Sequence, residues 1–478
     1  MPSERDPRLR YAWRVCSVTS LGLVLIGIAG STLNVALPTV VRHFQAGPFE
    51  SGWILLSFLL VNTASLVFFG RVADLLGRRE VYLAGFALFT VASLLAGLAP
   101  DVWFLVGMRV LQAVGAAMIL SNGTVIIADA FPPEKLSQGM GVYMGTLSVA
   151  QLAGPTLGGL IAEAAGWQWI FWVNVPAGLL AFGWGAAILR KTPRGPKEPV
   201  DALGNALVFA ALSALLLALS EAGSAGLSSP VVLTGAAVFA VLAPLIALVE
   251  RRAAHPLLDL RLFGGRMLAF ANLASFCNAL ARAALILVVA LYFQAARGVD
   301  AFTAGLSILP VPVGMAVASP LAGSLKISPY VLAICGTLMS ALGLGTLMLT
   351  ADPSTPYWII GAGLFVAGCG SGTFLTGNTT QVMRALPPGS LGVVNGFRVM
   401  VMNVGVVISV GLSLSVLAGS VGPELRAQVY GATLSRLSPV AVGQLMHGFQ
   451  RTYAVLFAVA LLGALFAGLA RSRPRAAP

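Results

Sequence analysis

Three arginines stand deep inside long apolar runs of the chain: Arg109, Arg282 and Arg398. A guanidinium stays charged at every pH a cell meets, so it does not take up and release protons as a carboxylate or imidazole does. It can hold an anion, or bond to carbonyl oxygens. Near the middle of a bilayer it costs about 2.5–3.5 kcal/mol even on a lenient insertion scale, so each must face protein or a wet cavity. Polar side chains accompany them. Gln112 follows Arg109 by one helical turn, and Asn272, Ser275 and Asn278 lead up to Arg282 at spacings that place them on one helix face. The 17 carboxylates, by contrast, lie in loops or at the ends of apolar runs, with Asp129, Glu163 and Glu221 nearest to an interior. Together the arginines make a basic cavity possible, one that favours anionic or zwitterionic solutes over lipophilic cations.

Other chemistries are poorly provided for. Cys16, Cys277, Cys335 and Cys369 all fall in apolar runs without ligand-like spacing, which reads as small core residues rather than disulfides or a metal site. His43, His255 and His447 stand apart in loops or near the ends of runs, so no metal centre is expected. A Gly-x-x-x-x-Gly-Lys-Ser/Thr phosphate loop is missing from the sequence, which argues against direct ATP driving. Neither a paired-carboxylate nor a Cys/His/Asp site appears, so the chain does not read as an enzyme, and no cofactor is expected.

The elements that must position the arginines are membrane-spanning helices. The chain of 478 residues is 58% hydrophobic and 10% charged, with a mean hydropathy of +0.89, far too apolar for a soluble domain of this length. Crossing roughly 30 Å of hydrocarbon takes about 20 apolar residues. Fourteen windows qualify: 14–38, 51–72, 80–98, 102–127, 137–162, 168–189, 202–221, 229–249, 267–293, 303–323, 328–349, 356–380, 391–420 and 450–470. They are too long and too evenly apolar for barrel strands. Of the 29 Lys and Arg, 21 fall on the side holding both termini, whereas the other side has Arg42, Arg297, Arg426, Arg436 and Arg451. Both termini are therefore expected in the cytoplasm. The longest segment between windows, about 421–449, is too short for a soluble domain. Basic, Pro-broken stretches at 190–201 and 250–266 bracket two plain helices, so the parse is six spans, an inserted pair, then six spans.

Several motifs sit at meaningful places in this frame. Gly70-Arg71-Val72-Ala73-Asp74-Leu75-Leu76-Gly77-Arg78-Arg79 joins the second and third windows: two glycines for close approach or a tight turn, and one carboxylate at a helix end among three guanidiniums. Its Gly-x-x-x-Asp-x-x-Gly-Arg-Arg spacing resembles the signature loop of the major facilitator superfamily. The Arg109-x-x-Gln112 pair resembles that family's fourth-span motif, with Ala113 at a usual glycine. Gly141, Gly154, Pro155, Gly158 and Gly159 resemble its antiporter motif, with Ala150 at another. The run from Trp167 to Gly178, with Gln168 at a usual arginine, and Thr32-Leu33-Asn34-Val35-Ala36-Leu37-Pro38 resemble the fourteen-span drug:proton antiporter branch. Gly305 to Pro310 and Asn395-Gly396-Phe397-Arg398 are similar to later stretches of that branch. Ala29 occupies the position where an acidic residue is usual.

What the resemblance implies is an all-α integral membrane protein with the major facilitator fold, fourteen transmembrane helices arranged as two six-helix bundles plus two inserted helices. The parts are a cytoplasmic N-terminus (1–13), an N-terminal bundle (14–189), linkers with the inserted pair (190–266), a C-terminal bundle (267–470) and a cytoplasmic tail (471–478). It further implies multidrug efflux from a bacterial plasma membrane by alternating access, with a proton gradient as energy source. The alternative is facilitated or exchange transport of an anionic or zwitterionic metabolite with weak or no proton coupling. Gly70, Asp74, Gly77, Arg78 and Arg79 form the expected conformational latch. Arg109, Gln112, Asn34, Gln151, Asn278, Arg282 and Arg398 are the expected proton-transfer or cavity residues. The expected partners are a small-molecule substrate and the lipid bilayer, with no nucleic acid, and the chain is expected to act as a monomer.

Overall fold

A backbone in hydrocarbon must satisfy its N–H and C=O groups internally, and a helix does so within one segment. The computed structural model describes residues 7–191, 202–225, 229–252, 265–299, 301–386, 391–420 and 439–471, and among them every regular element is helical. The helices are α1 (Pro7–Phe44), α2 (Pro48–Leu76), α3 (Arg78–Ala96), α4 (Val102–Ala130), α5 (Leu136–Ala164), α6 (Trp169–Trp172), α7 (Asn174–Ile188), α8 (Ala202–Ala225), α9 (Pro230–Arg252), α10 (Arg266–Arg297), α11 (Ala301–Ser307), α12 (Pro310–Ser324), α13 (Pro329–Thr350), α14 (Tyr357–Ala385), α15 (Leu391–Ala418) and α16 (Pro439–Leu469).

Each of the fourteen sequence windows coincides with one helix or a broken pair. Among the described residues, eleven segments are long and apolar enough to cross a membrane, and the inserted pair carries shorter apolar stretches at Ala206–Leu219 and Pro230–Ile246. Two spans are interrupted. α6 and α7 join at Val173, and α11 gives way to α12 just before Pro310, a residue that fits the first turn of a helix because it has no N–H to satisfy. The outermost helices run further than hydropathy marked out. α16 starts at Pro439, so the segment expected as a loop to 449 is partly helical; α1 starts at Pro7, and Tyr11 on its first turns accepts a hydrogen bond from the Arg190 backbone at 3.3 Å and lies under the Arg190 guanidinium. Windows follow apolar content, whereas a helix continues past its apolar part as long as its backbone bonds are made.

Two compact units divide the chain: one of residues 1–213, 242–259 and 386–400, the other of 214–241, 260–385 and 401–478. Within the first, α1 packs on α5, and α4 packs on α2 and α3. Among its described residues, apolar side chains cluster around Leu25, Tyr82, Phe86, Phe89 and Ile119, and around Leu33, Ile54, Leu105, Trp167 and Phe171. In the second, α14 packs on α12 and α13, and α16 packs on α10 and α13. Large apolar side chains also point outwards: Leu180 is 70% exposed and Leu349 79%. In water such a surface would drive aggregation, but against lipid it is the expected exterior.

Between α13 and α14 the helices touch through glycine. A methyl built on Gly343 would lie 2.5 Å from the backbone of Gly363 and Ala367, and the Gly336 and Gly370 positions are equally closed by the facing backbone. Close backbone approach of this kind replaces the hydrophobic drive that lipid removes. Gly370→Val is therefore expected to cost about 1–3 kcal/mol by overpacking, read as a lower melting temperature in detergent. Gly361→Ala is the control and should be neutral, because the nearest atom to its new methyl is 3.6 Å away.

Candidate functional site

The latch residues come together as a built contact within the first unit. Gly77 separates α2 from α3 with a φ of 108°, a conformation that side chains rarely adopt. The turn brings Arg78 back over Asp74, at 3.1 Å, and its other guanidinium nitrogen bonds to Asp129 at the end of α4. Asp74 is almost fully buried. Its second oxygen faces the first turn of α15, against Gly392 and near the backbone N–H of Val393. That turn has N–H groups without intrahelical acceptors and the positive end of the helix dipole, both of which favour a carboxylate. Gly70 and Gly392 let the two helices meet: a methyl on Gly392 would lie 2.5 Å from the Gly70 carbonyl oxygen. Arg79 points elsewhere. It donates to the Ala186 and Leu189 carbonyls at 3.0 and 2.7 Å, capping the C-terminal end of α7.

Arg109 is 2% exposed and held on three sides. It donates to the Ile54 carbonyl at 3.3 Å and to Gln112 Oε1 at 2.6 Å, and lies 4.2 Å from the Phe58 ring centre. Gln112 in turn donates to Ser93 Oγ at 2.7 Å. Arg398 donates to Asn395 Oδ1 at 3.2 Å, and Asn395 ties α15 to the Leu120 and Ser121 carbonyls of α4. Buried Tyr143 is close enough to Arg398 to feel its charge.

The polar stripe on α10 lies within the second unit. Ser275 donates to Asn378 Oδ1 at 2.9 Å, and Asn278 donates to Ser371 Oγ at 3.3 Å. Beyond Asn278, Arg282 lines a small cavity with Thr337, Ser340 and Ser371. Gln151 is half-buried on α5. Asn34 lies on α1, but its side chain, with Pro155, Gly158 and Gly159, is outside what is described at side-chain level. Gly141 is buried, and Gly154 packs directly on Ser31, as Gly27 does on Ala150, so this face of α5 forms a small-residue seam with α1. Ala29 is 4% exposed inside the cluster that contains Leu25 and Phe86.

Sequence reasoning paired neither Asp129 with Arg78 nor Gly392 with Gly70. Both partners are distant in the chain, and the available signals were an acid at the end of one apolar run and a glycine at the start of another.

Fold and site together define a polytopic membrane protein with buried arginines and, among the described residues, an acidic turn that meets the start of another helix. A sequence-family model described as Major Facilitator Superfamily matches residues 19–251. The chain is 33% identical to the multidrug resistance protein Stp of Mycobacterium tuberculosis, over 84% of this chain and 75% of that protein. It is 27% identical to the riboflavin transporter RibZ of Clostridioides difficile, over 83% and 86%. Among solved structures, the human organic anion transporter MFSD10 aligns with a TM-score of 0.67 at 16% identity, covering 97% of this chain and 100% of that one. The chain belongs to the major facilitator superfamily and is a membrane transporter.

Removing the Asp74 charge deprives Arg78 and the α15 N-terminus of a shared partner. Asp74→Asn is expected to lower stability by about 1.5–3 kcal/mol, the usual worth of a hydrogen bond to a charged group, and to impair transport while the protein remains in the membrane. Arg109→Ala leaves the Gln112 acceptor buried without its partner and should impair transport in the same way. Uptake into vesicles, normalised to membrane protein, measures both; normal transport by Arg109→Ala would confine that arginine to a structural role.

Proposed function

We propose that this transporter is a secondary active exporter of small amphipathic compounds, antibiotics among them, working by alternating access and driven by proton entry. The observation that carries this reading is the contact of Asp74, Arg78 and Asp129 with the first turn of α15: charged, buried and hinged on a glycine, it can be made in one state and broken in another. Multidrug resistance in the name of Stp supports export, as does the small-residue seam along the Gly154 face of α5. On this reading both termini lie in the cytoplasm of a bacterial cell, and the chain works as a monomer.

A second reading has its own support. The interior charges at Arg109, Arg282 and Arg398 are basic, Ala29 stands where a first-span acid would titrate, and RibZ transports a metabolite. These favour exchange or facilitated movement of an anionic or zwitterionic metabolite with weak or no proton coupling.

Proteoliposomes with an imposed pH gradient separate the two. A panel of cationic, neutral and anionic compounds is offered, and flux of each transported compound is followed with the gradient in either direction. Proton-driven export predicts that flux reverses its preference when the gradient is reversed. Flux that ignores the gradient, for a compound that is transported, rejects antiport and favours the metabolite reading.

A further inference from the structure

We infer that the second unit contains a binding site for one small inorganic anion of halide size, centred on Arg282. The cavity beside it is lined by Asn278, Arg282, Thr337, Ser340 and Ser371, from α10, α13 and α14, with apolar residues of the same helices, α12 and α16 completing the wall. It measures about 10 Å³, traced by the centre of a water-sized sphere, which is room for about one such body. A drug-sized molecule does not fit.

Charge decides what fills it. Arg282 Nε is buried and makes no hydrogen bond, and no ion pair or ring contact of Arg282 exists among the described residues. Arg109 and Arg398 differ, since each is bonded to side-chain oxygens. In the second unit the only carboxylates at described side chains are Glu221 and Asp352, and Asp352 is spent on Ser354 in the loop before α14. A water would answer the unmet hydrogen bond of Arg282 but not its charge. A monovalent anion answers both, because a guanidinium presents several N–H donors in one plane. Asn278 extends the donor set: its amide uses one N–H on Ser371 Oγ and has a second to give. Ser340 is 3.5 Å from Ser371 and adds another hydroxyl to the wall.

The test is chloride dependence of the purified full chain, measured without any transported compound. Protein is exchanged into gluconate buffer and titrated with chloride or bromide at constant ionic strength, with the melting temperature and equilibrium binding of radiolabelled chloride as readouts. A ligand that binds only the folded state raises the melting temperature in a saturable way. The wild-type protein should rise by several degrees and bind chloride stoichiometrically. Arg282→Gln should lose both responses while eluting as a single species. Should Arg282→Gln fail to fold, Asn278→Ala takes its place and should shift the chloride midpoint upwards by about tenfold, the loss of one good hydrogen bond. A wild-type protein with one melting temperature in chloride and gluconate, and no bound chloride, means that water alone fills the cavity and overturns the inference. So does an undiminished response in a folded Arg282→Gln variant. Neither outcome bears on the export reading, which the pH-gradient experiment tests on its own.

Discussion

A fixed positive charge inside hydrocarbon has to be answered locally, and the structure answers each of its buried guanidiniums differently. Arg78 has two carboxylates. Arg109 has a helix carbonyl, an amide oxygen and the face of Phe58. Arg398 has Asn395 beside it and Tyr143 nearby. These solutions are more than charge bookkeeping, because each answer ties two helices together. Arg109 reaches from α4 to the Ile54 carbonyl of α2, and Asn395, which Arg398 engages, reaches from α15 to α4. Removing a partner leaves a buried polar group unmet, which costs more than the bond was worth when made. The polar interior of the first unit therefore joins its helices at defined points.

Those joints require the helices to be near enough to reach, and glycine provides the approach. Gly70 and Gly392 at the latch, Gly27 and Gly154 between α1 and α5, and Gly336, Gly343, Gly363 and Gly370 between α13 and α14 all stand where any side chain would strike a neighbour. At the latch the two devices meet in one place: glycine brings the start of α15 onto α2, and the approach puts its unpaired N–H groups beside Asp74. Bulk at Gly392 and loss of charge at Asp74 would break the same contact from opposite sides.

Local relations were legible in the sequence, and tertiary ones were not. Apolar runs located every span because hydrocarbon imposes a length. One-turn spacing gave Arg109 with Gln112, since residues three and four apart share a helix face. Arg78 with Asp129, 51 residues apart, and Asn278 with Ser371, 93 apart, depend on which helices are neighbours, and that is decided by packing over the whole unit. The starts of α1 and α16 were also missed, for the smaller reason that their first turns are basic or mixed and carry no hydropathy signal.

Position 29 illustrates how a substitution in the sequence acquires meaning only in its surroundings. An acid there would sit in a cluster with Leu25, Ile26 and Phe86 and would have to be neutral or paired. No described arginine ion pair lies in that cluster; the nearest joints, at Arg109 and Arg78, already have their oxygens. Alanine therefore suits the packing as it stands, and the interior charges of the first unit are committed to holding helices in place. Arg282 is the exception to this economy of paired groups. It lines a cavity and has no ion pair among the described residues, which is why the anion site inferred above falls in the second unit.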